Sequence, residues 1–325
     1  MLPFLFRRLG QSALVIAVMA TLVFVGVYAI GNPIDILISP EADEAERAAA
    51  IARLGLDKPL WLQFLVFVKS ALAGDLGRSF VHGVPALELI LQRMPATLEL
   101  AFTALVISIV LGIPAGLFAG LKPDSLAGRA IMTGSIFGFS LPNFWLGLML
   151  ILLFAVELQV LPAGGRGETR MLFGIEWSFL TLDGLKHLIL PALTLAIYKA
   201  SLVARLAYAG TREALLQDFV RFARAKGLSP ARIVGVHVLK TILIPVVTVI
   251  GLELGSMIAF AVVTETVFAW PGMGKLLIES IYRLDRPVVV AYLIVVVTMF
   301  VIINLAVDVI YTLLDPRVRL ATKEA

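Results

Sequence analysis

The chain has 325 residues, 60% of them hydrophobic and 15% charged, with a net charge of +4 and a mean hydropathy of +0.97. A soluble domain is about 45–50% apolar and about 25% charged, so lipid is the solvent for much of this sequence, and disordered or collagen-like classes are excluded. Cysteine is absent, which removes thiolate metal sites, disulfides and catalytic thiols.

Six apolar stretches read as membrane spans: residues 9–30, 96–121, 130–156, 187–209, 241–264 and 288–314. About 20 apolar residues cross a bilayer as a helix. The backbone has no water to bond there, and long unbroken runs argue against a barrel. The first run follows Arg7 and Arg8, as a secretory signal would, but it exceeds a signal's apolar core and reads as a retained anchor. Residues 31–95 then contain an acidic, alanine-rich stretch (41–54). After it comes an apolar stretch in which Leu60, Phe64, Phe67 and Lys69 predict a short amphipathic helix at the interface.

The basic residues alternate sides. Arg7 and Arg8, then Lys122 and Arg129, then Arg212 to Lys240, and finally Arg317, Arg319 and Lys323 all fall on one side of six spans. That side is cytoplasmic, with both termini on it. Glu41, Asp43, Glu44 and Glu46 face the other way. This topological use of the basic residues removes the case for nucleic-acid binding.

Within the spans, glycines recur every fourth position at Gly112, Gly116 and Gly120, at Gly134 and Gly138, and at Gly251 and Gly255. Such spacing lets helices approach closely, inside the subunit or against a partner. Pro142 and Pro191 are candidate kinks. Lys199 and Glu253 sit near the middles of the fourth and fifth spans. Each charge costs roughly 2.5–3.5 kcal/mol at the bilayer centre. They either pair, with each other or with a neighbouring subunit, or line a path. Thr264, Glu265 and Trp270-Pro271-Gly272 read as an outer re-entrant corner, and Asp308 as an anchor for the sixth span. His82, His187 and His237 are too dispersed to read as metal ligands, and no nucleophile or metalloprotease motif lies in a span.

Between the fourth and fifth spans, Leu215, Leu216, Phe219, Phe222 and Ala223 share one helical face. Gly227 ends that helix and Ser229-Pro230 starts another. An apolar stripe with a basic rim is either a docking surface for a cytoplasmic partner or a hairpin resting on anionic lipid.

The same segment, from Asp218 to Ser229 (DFVRFARAKGLS), resembles the EAA loop of permease subunits of ABC importers, specifically the dipeptide/oligopeptide permease family. The resemblance runs through most of the chain. It includes LGLDKPLWLQF (Leu54 to Phe64), GDLGRSF (Gly74 to Phe80), RMPATLEL (Arg93 to Leu100), SLPNFWLGL (Ser140 to Leu148), LPAGG (Leu161 to Gly165), TETVFAWPGMGKLL (Thr264 to Leu277) and NLAVDVIYTLLDPR (Asn304 to Arg317). The chain departs from the family pattern at Gly31-Asn32-Pro33, Ala207-Tyr208 and Lys240.

The resemblance implies an all-α, type I importer permease of about six spans in a bacterial inner membrane. It implies a second, homologous permease, two ATPase subunits that bind ATP and Mg, and an extracytoplasmic solute-binding protein that delivers peptides or similar small solutes. The chain would then be no enzyme and hold no cofactor. Its own sequence agrees, because Gly274-Lys275 lacks the remainder of a phosphate-binding loop. The division expected is 1–30 as tail and first span, 31–95 as the extracytoplasmic region, 96–320 as the permease core with the coupling loop at 212–240, and 321–325 as the tail. Coupling to the ATPases is expected at Glu213, Phe219, Arg221, Ala223, Arg224, Lys226 and Gly227. The translocation path is expected at Lys199, Glu253, Thr264 and Glu265, where opposite charges would suit a zwitterionic peptide's termini. The rival readings are a secondary transporter driven by an ion gradient through Glu253 or Asp308, for which the sequence shows no inverted repeat, and a non-transporting scaffold.

Overall fold

The computed structural model describes residues 2–29, 43–54 and 57–314. Gly31-Asn32-Pro33, Glu41, the basic residues Arg317, Arg319 and Lys323, and the 321–325 tail lie outside the described residues. The chain divides into two compact units: residues up to Met94 with Lys275–Val301, and Pro95–Gly274 with the residues from Ile302 onward.

In the first unit, α1 (Leu2–Ala29) leaves Leu14, Leu22 and Val25 exposed, as a lipid-facing helix must, while Val23 is buried. α2 (Glu44–Leu54) carries the acidic stretch. α3 (Leu60–Leu72) turns Phe64 and Phe67 onto Phe24 of α1, with ring centroids 5.2 and 5.7 Å apart, and leaves Trp61 and Leu72 exposed. Buried Asp285 clasps the loop before α4. Its carboxylate accepts from the Ser79 hydroxyl and from the backbone N–H of Phe80 (3.0 Å) and Val81 (3.4 Å).

The second unit is built on α7 (Leu182–Leu216) and on α4 (Ala86–Leu121) from Pro95 onward. Both are longer than the sequence reading. At 1.5 Å per residue α4 is about 54 Å long against about 30 Å of hydrocarbon, so residues near Glu99, well inside the helix, lie near the outer edge of the hydrocarbon. The glycine stripe makes the contact between the two helices. A Cβ on Gly116 would lie 2.1 Å from the Ala204 carbonyl oxygen, one on Gly112 2.8 Å from Val203, and one on Gly120 2.6 Å from Thr211. Packing within the subunit therefore uses this stripe, whereas Gly134 has open space around it. Gly116→Val should lower the unfolding temperature in detergent sharply, since overpacking costs about 1–3 kcal/mol even where neighbours can yield. An unchanged melting temperature would count against this contact.

The third span departs from a single helix over 130–156. It consists of α5 (Leu126–Ser140) and α6 (Asn143–Leu150), the latter running on as a π-helical stretch Ile151–Glu157, with a bend of 108° between them. Pro142 offers no backbone N–H and disfavours helix in the residue before it, and Leu141 is extended at φ −76°, ψ 131°. The other expected kink, Pro191, lies inside an uninterrupted α7. The broken pair still crosses the membrane. Gly128 abuts Lys122 at the inner end of α4, while Arg166, beyond the pair, binds Glu99 near the outer edge of the hydrocarbon. With the five uninterrupted helices, that makes six crossings among the described residues.

Outside, a two-stranded hairpin, β1 (Arg170–Leu172) and β2 (Ile175–Trp177), precedes α7. Inside, α7 is followed by α8 (Asp218–Ala225), α9 (Pro230–Arg232) and a π-helical stretch Ile233–Val238 leading into α10 (Leu239–Val267). α11 (Met273–Tyr282) and α12 (Arg286–Leu314) complete the order.

Candidate functional site

The inner hairpin begins where α7 ends. Gln217 is extended at φ −72°, ψ 151° and separates α7 from α8. The face read from the sequence as one stripe is thus split, because Leu215 and Leu216 belong to α7. Within α8, Val220 and Ala223 turn inward and form a core with Ala214, Ile233 and Val238, closed by Leu117, Leu215 and Leu228. Ala223, expected on the docking face, is the residue that holds the helix down.

The outward face belongs to Phe222, 63% exposed, and Phe219, 40% exposed. The Lys226 ammonium lies 4.6 Å from the Phe222 ring centroid. Arg221 and Arg224 are exposed on the same helix, and Glu213 is exposed on α7. The Arg221–Asp218 pair, at 3.5 Å, is solvated and contributes little to stability. Gly227 ends α8 with φ +75°, a conformation that side chains with a Cβ resist. Its N–H reaches the Arg224 carbonyl at 2.9 Å and Leu228 N–H the Ala223 carbonyl at 3.2 Å. The Ser229 hydroxyl then accepts from Arg232 N–H at 3.4 Å and starts the return helix. A rigid mount thus presents two aromatic rings inside a basic rim.

The second feature is a cavity of about 440 Å³ in the second unit, beside the break in the third span. Leu141, Pro142 and Asn143 form one wall, and Tyr198, Lys199, Glu253 and Ser256 contribute polar side chains from α7 and α10. Lys199 and Glu253 form an ion pair. The Lys199 ammonium also donates to the Ser256 hydroxyl at 2.9 Å, and that hydroxyl lies 2.7 Å from Glu253 Oε2. Stacked rings adjoin this group: Tyr198 on Phe139 with centroids 4.6 Å apart, and the Arg205 guanidinium 4.1 Å from the Phe139 centroid. Of the alternatives left by the sequence, Lys199 and Glu253 pair with each other, and both border this cavity.

Thr264 and Glu265 do not line this cavity. Both are buried at the outer end of α10. Glu265 accepts from the Thr97 hydroxyl at 2.6 Å, Thr97 accepts from Met273 N–H at 2.9 Å, and Trp270 Nε1 donates to the Ala96 carbonyl at 2.9 Å. Gly272 and Gly274 leave the Glu265 carboxylate the room that a Cβ would take. These residues lock a corner.

Sequence reasoning missed the neighbouring lock. The Glu99 carboxylate receives Arg166 Nη2 at 2.7 Å and Nε at 3.2 Å, together with Ser178 N–H at 2.7 Å and Phe179 N–H at 3.1 Å. Arg166 Nη2 also reaches the Glu176 carbonyl at 2.6 Å. One acidic side chain thereby ties the base of the outer hairpin to α4. Its only signal in the sequence was a lone carboxylate at the apolar edge of a span.

Residues 112–320 match the family described as binding-protein-dependent transport system inner membrane component, and residues 1–101 match the N-terminal family of the same membrane components. The chain belongs to this family and is a multi-pass inner-membrane permease of a binding-protein-dependent transport system. It is 41% identical to the di/tripeptide transport system permease protein DppB of Pseudomonas aeruginosa (strain UCBPP-PA14), over 98% of this chain and 99% of that one. It is 40% identical to the probable D,D-dipeptide transport system permease protein DdpB of Escherichia coli (strain K12), over 96% of each. It is 34% identical to the oligopeptide transport system permease protein AppB of Bacillus subtilis (strain 168), over 98% and 99%. In fold it is similar to a chain of the MetNI methionine ABC transporter in an inward-facing conformation, with a TM-score of 0.55 at 18% identity, covering 70% of this chain and 96% of that one. That likeness is one of fold.

Proposed function

We propose that this chain is one of two membrane-spanning subunits of an ATP-driven importer for di- and oligopeptides. A solute-binding protein delivers the cargo from outside, a homologous permease completes the passage, and two cytoplasmic ATPases bind ATP and Mg and carry out hydrolysis. The observation that carries the reading is the inner hairpin. Phe219 and Phe222 stand exposed in a basic rim on a mount fixed by Val220 and Ala223. An aromatic anchor of this kind suits a groove on a protein partner. Because the mount continues into α7 and α10, movement of the groove turns the spans as rigid bodies. Peptide cargo is supported by the three relatives, which are di/tripeptide, D,D-dipeptide and oligopeptide transport permeases.

The test is to express the chain with its neighbouring permease, ATPase and binding-protein genes and reconstitute the purified assembly in liposomes. ATP-dependent, binding-protein-dependent uptake of radiolabelled dialanine is expected. Uptake driven by an ion gradient without ATPases would establish the secondary-transport reading in its place.

A further inference from the structure

The charged group in the cavity is incompletely satisfied. Glu253 Oε2 takes both the Lys199 ammonium and the Ser256 hydroxyl, and among the described residues Glu253 Oε1 has no hydrogen-bond donor. The Lys199 ammonium uses two of its three N–H groups, on Glu253 and Ser256. Neither side chain is sealed: 28% of the Glu253 side chain and 15% of the Lys199 side chain remain accessible. A carboxylate oxygen and an ammonium N–H left open at mid-membrane require a polar partner, because an unmet charge-bearing group is costly there. The rest of the lining offers no further charge: apart from the neutral polar groups of Asn143 and Tyr198 it is apolar, with Leu141, Pro142, Leu195, Met257 and Phe260. Its volume of about 440 Å³ lies within the roughly 300–1,000 Å³ usual for small-molecule sites.

We infer that this cavity is a transit site for a zwitterionic peptide, with the peptide's ammonium group on Glu253 and its carboxylate on Lys199. The inference rests on the peptide-importer reading and assigns the substrate contacts within it. A free peptide brings one charge of each sign, so it exchanges the internal ion pair for two external ones and leaves the net charge of the site unchanged. Ser256 holds whichever partner is momentarily released. The flexible Met257 and the ring of Phe260 accept different side chains because neither demands a particular shape. The site therefore reads what all peptides share, their termini, and tolerates what varies.

The test uses the reconstituted complex with its binding protein. Phe260→Cys places a single thiol in this cysteine-free chain on the cavity wall. Its labelling by a methanethiosulfonate reagent should be slowed by millimolar dialanine and not by N-acetyl-dialanine amide, which lacks both charges. In parallel, Lys199→Met and Glu253→Gln should each lower dialanine uptake roughly 10-fold to 100-fold, as the loss of a charge-assisted bond implies, with the binding protein's affinity unchanged. A pair that only fastens α7 to α10 predicts loss of assembled complex in the single variants and labelling that ignores dialanine. That result overturns the inference, as does normal uptake by both variants. Failure of the unsubstituted complex to import dialanine would instead remove the peptide-importer reading itself.

Discussion

Phe222→Asp is expected to abolish ATP-driven uptake while leaving the chain folded and inserted in the membrane. Phe222 is 63% exposed and contributes nothing to the core beneath α8, which is formed by Val220, Ala223, Ala214, Ile233 and Val238. A carboxylate there is harmless in water. Inserted into the apolar part of a partner's groove, an unpaired polar group costs roughly 2 kcal/mol or more, about thirtyfold in association. Phe222→Leu should retain most of the coupling, since it keeps an apolar anchor. Gly227→Asp should act by another route, because at φ +75° it strains the turn that sets the angle between α8 and the return helix, although space around it is open. The measurements are copurification of the ATPases and binding-protein-stimulated ATP hydrolysis in liposomes. Normal coupling in Phe222→Asp would show that the exposed rings of α8 are not the docking face.

The largest expected loss of stability lies at Glu99, in the outer half of α4. Glu99→Ala strands the Arg166 guanidinium and the backbone N–H groups of Ser178 and Phe179 together. Breaking a buried ion pair from one side costs about 3–5 kcal/mol. Arg166→Met should cost less, because Glu99 keeps its two backbone donors. The double variant Glu99→Ala/Arg166→Met should fall well short of the sum of the singles, since neither charge is then left alone. Thermal unfolding of the detergent-solubilised protein would read this cycle. Additive losses, or an unaltered melting temperature for Glu99→Ala, would mean that the pair does not hold the hairpin.

Both experiments concern features that the sequence disclosed unequally. The coupling hairpin was legible as two helices because Gly227 and Ser229-Pro230 are local signals, and local signals survive folding. Its inward and outward faces were not legible. The stripe from Leu215 to Ala223 has a helical period throughout, yet the chain breaks at Gln217, and the residues on either side belong to differently oriented helices. Lys199 and Glu253 stood out because charge in a span is expensive wherever it occurs. Ser256, one helical turn from Glu253, was not singled out, since a serine carries no cost that demands a partner. Glu99 and Asp285 were missed for a related reason. Glu99 lies at the edge of an apolar run inside α4 and Asp285 just before α12, places where a carboxylate is ordinary until distant backbone N–H groups converge on it.

Proline shows where the boundary falls. The sequence placed Pro142 and Pro191 alike inside apolar runs, and the same chemistry applies to both: one missing donor and one clash with the preceding turn. The third span breaks at Pro142, whereas α7 continues through Pro191, where Leu188, Leu190, Ala192 and Leu195 are buried and hold the helix against its neighbours. Composition, charge asymmetry and the length of apolar runs were sufficient by themselves for a six-crossing membrane protein and its orientation. They act through the solvent, and each segment meets that solvent independently. Which glycine meets which helix, which proline breaks its span, and which carboxylate finds a partner depend on residues far apart in the chain, so only the packed structure decided them.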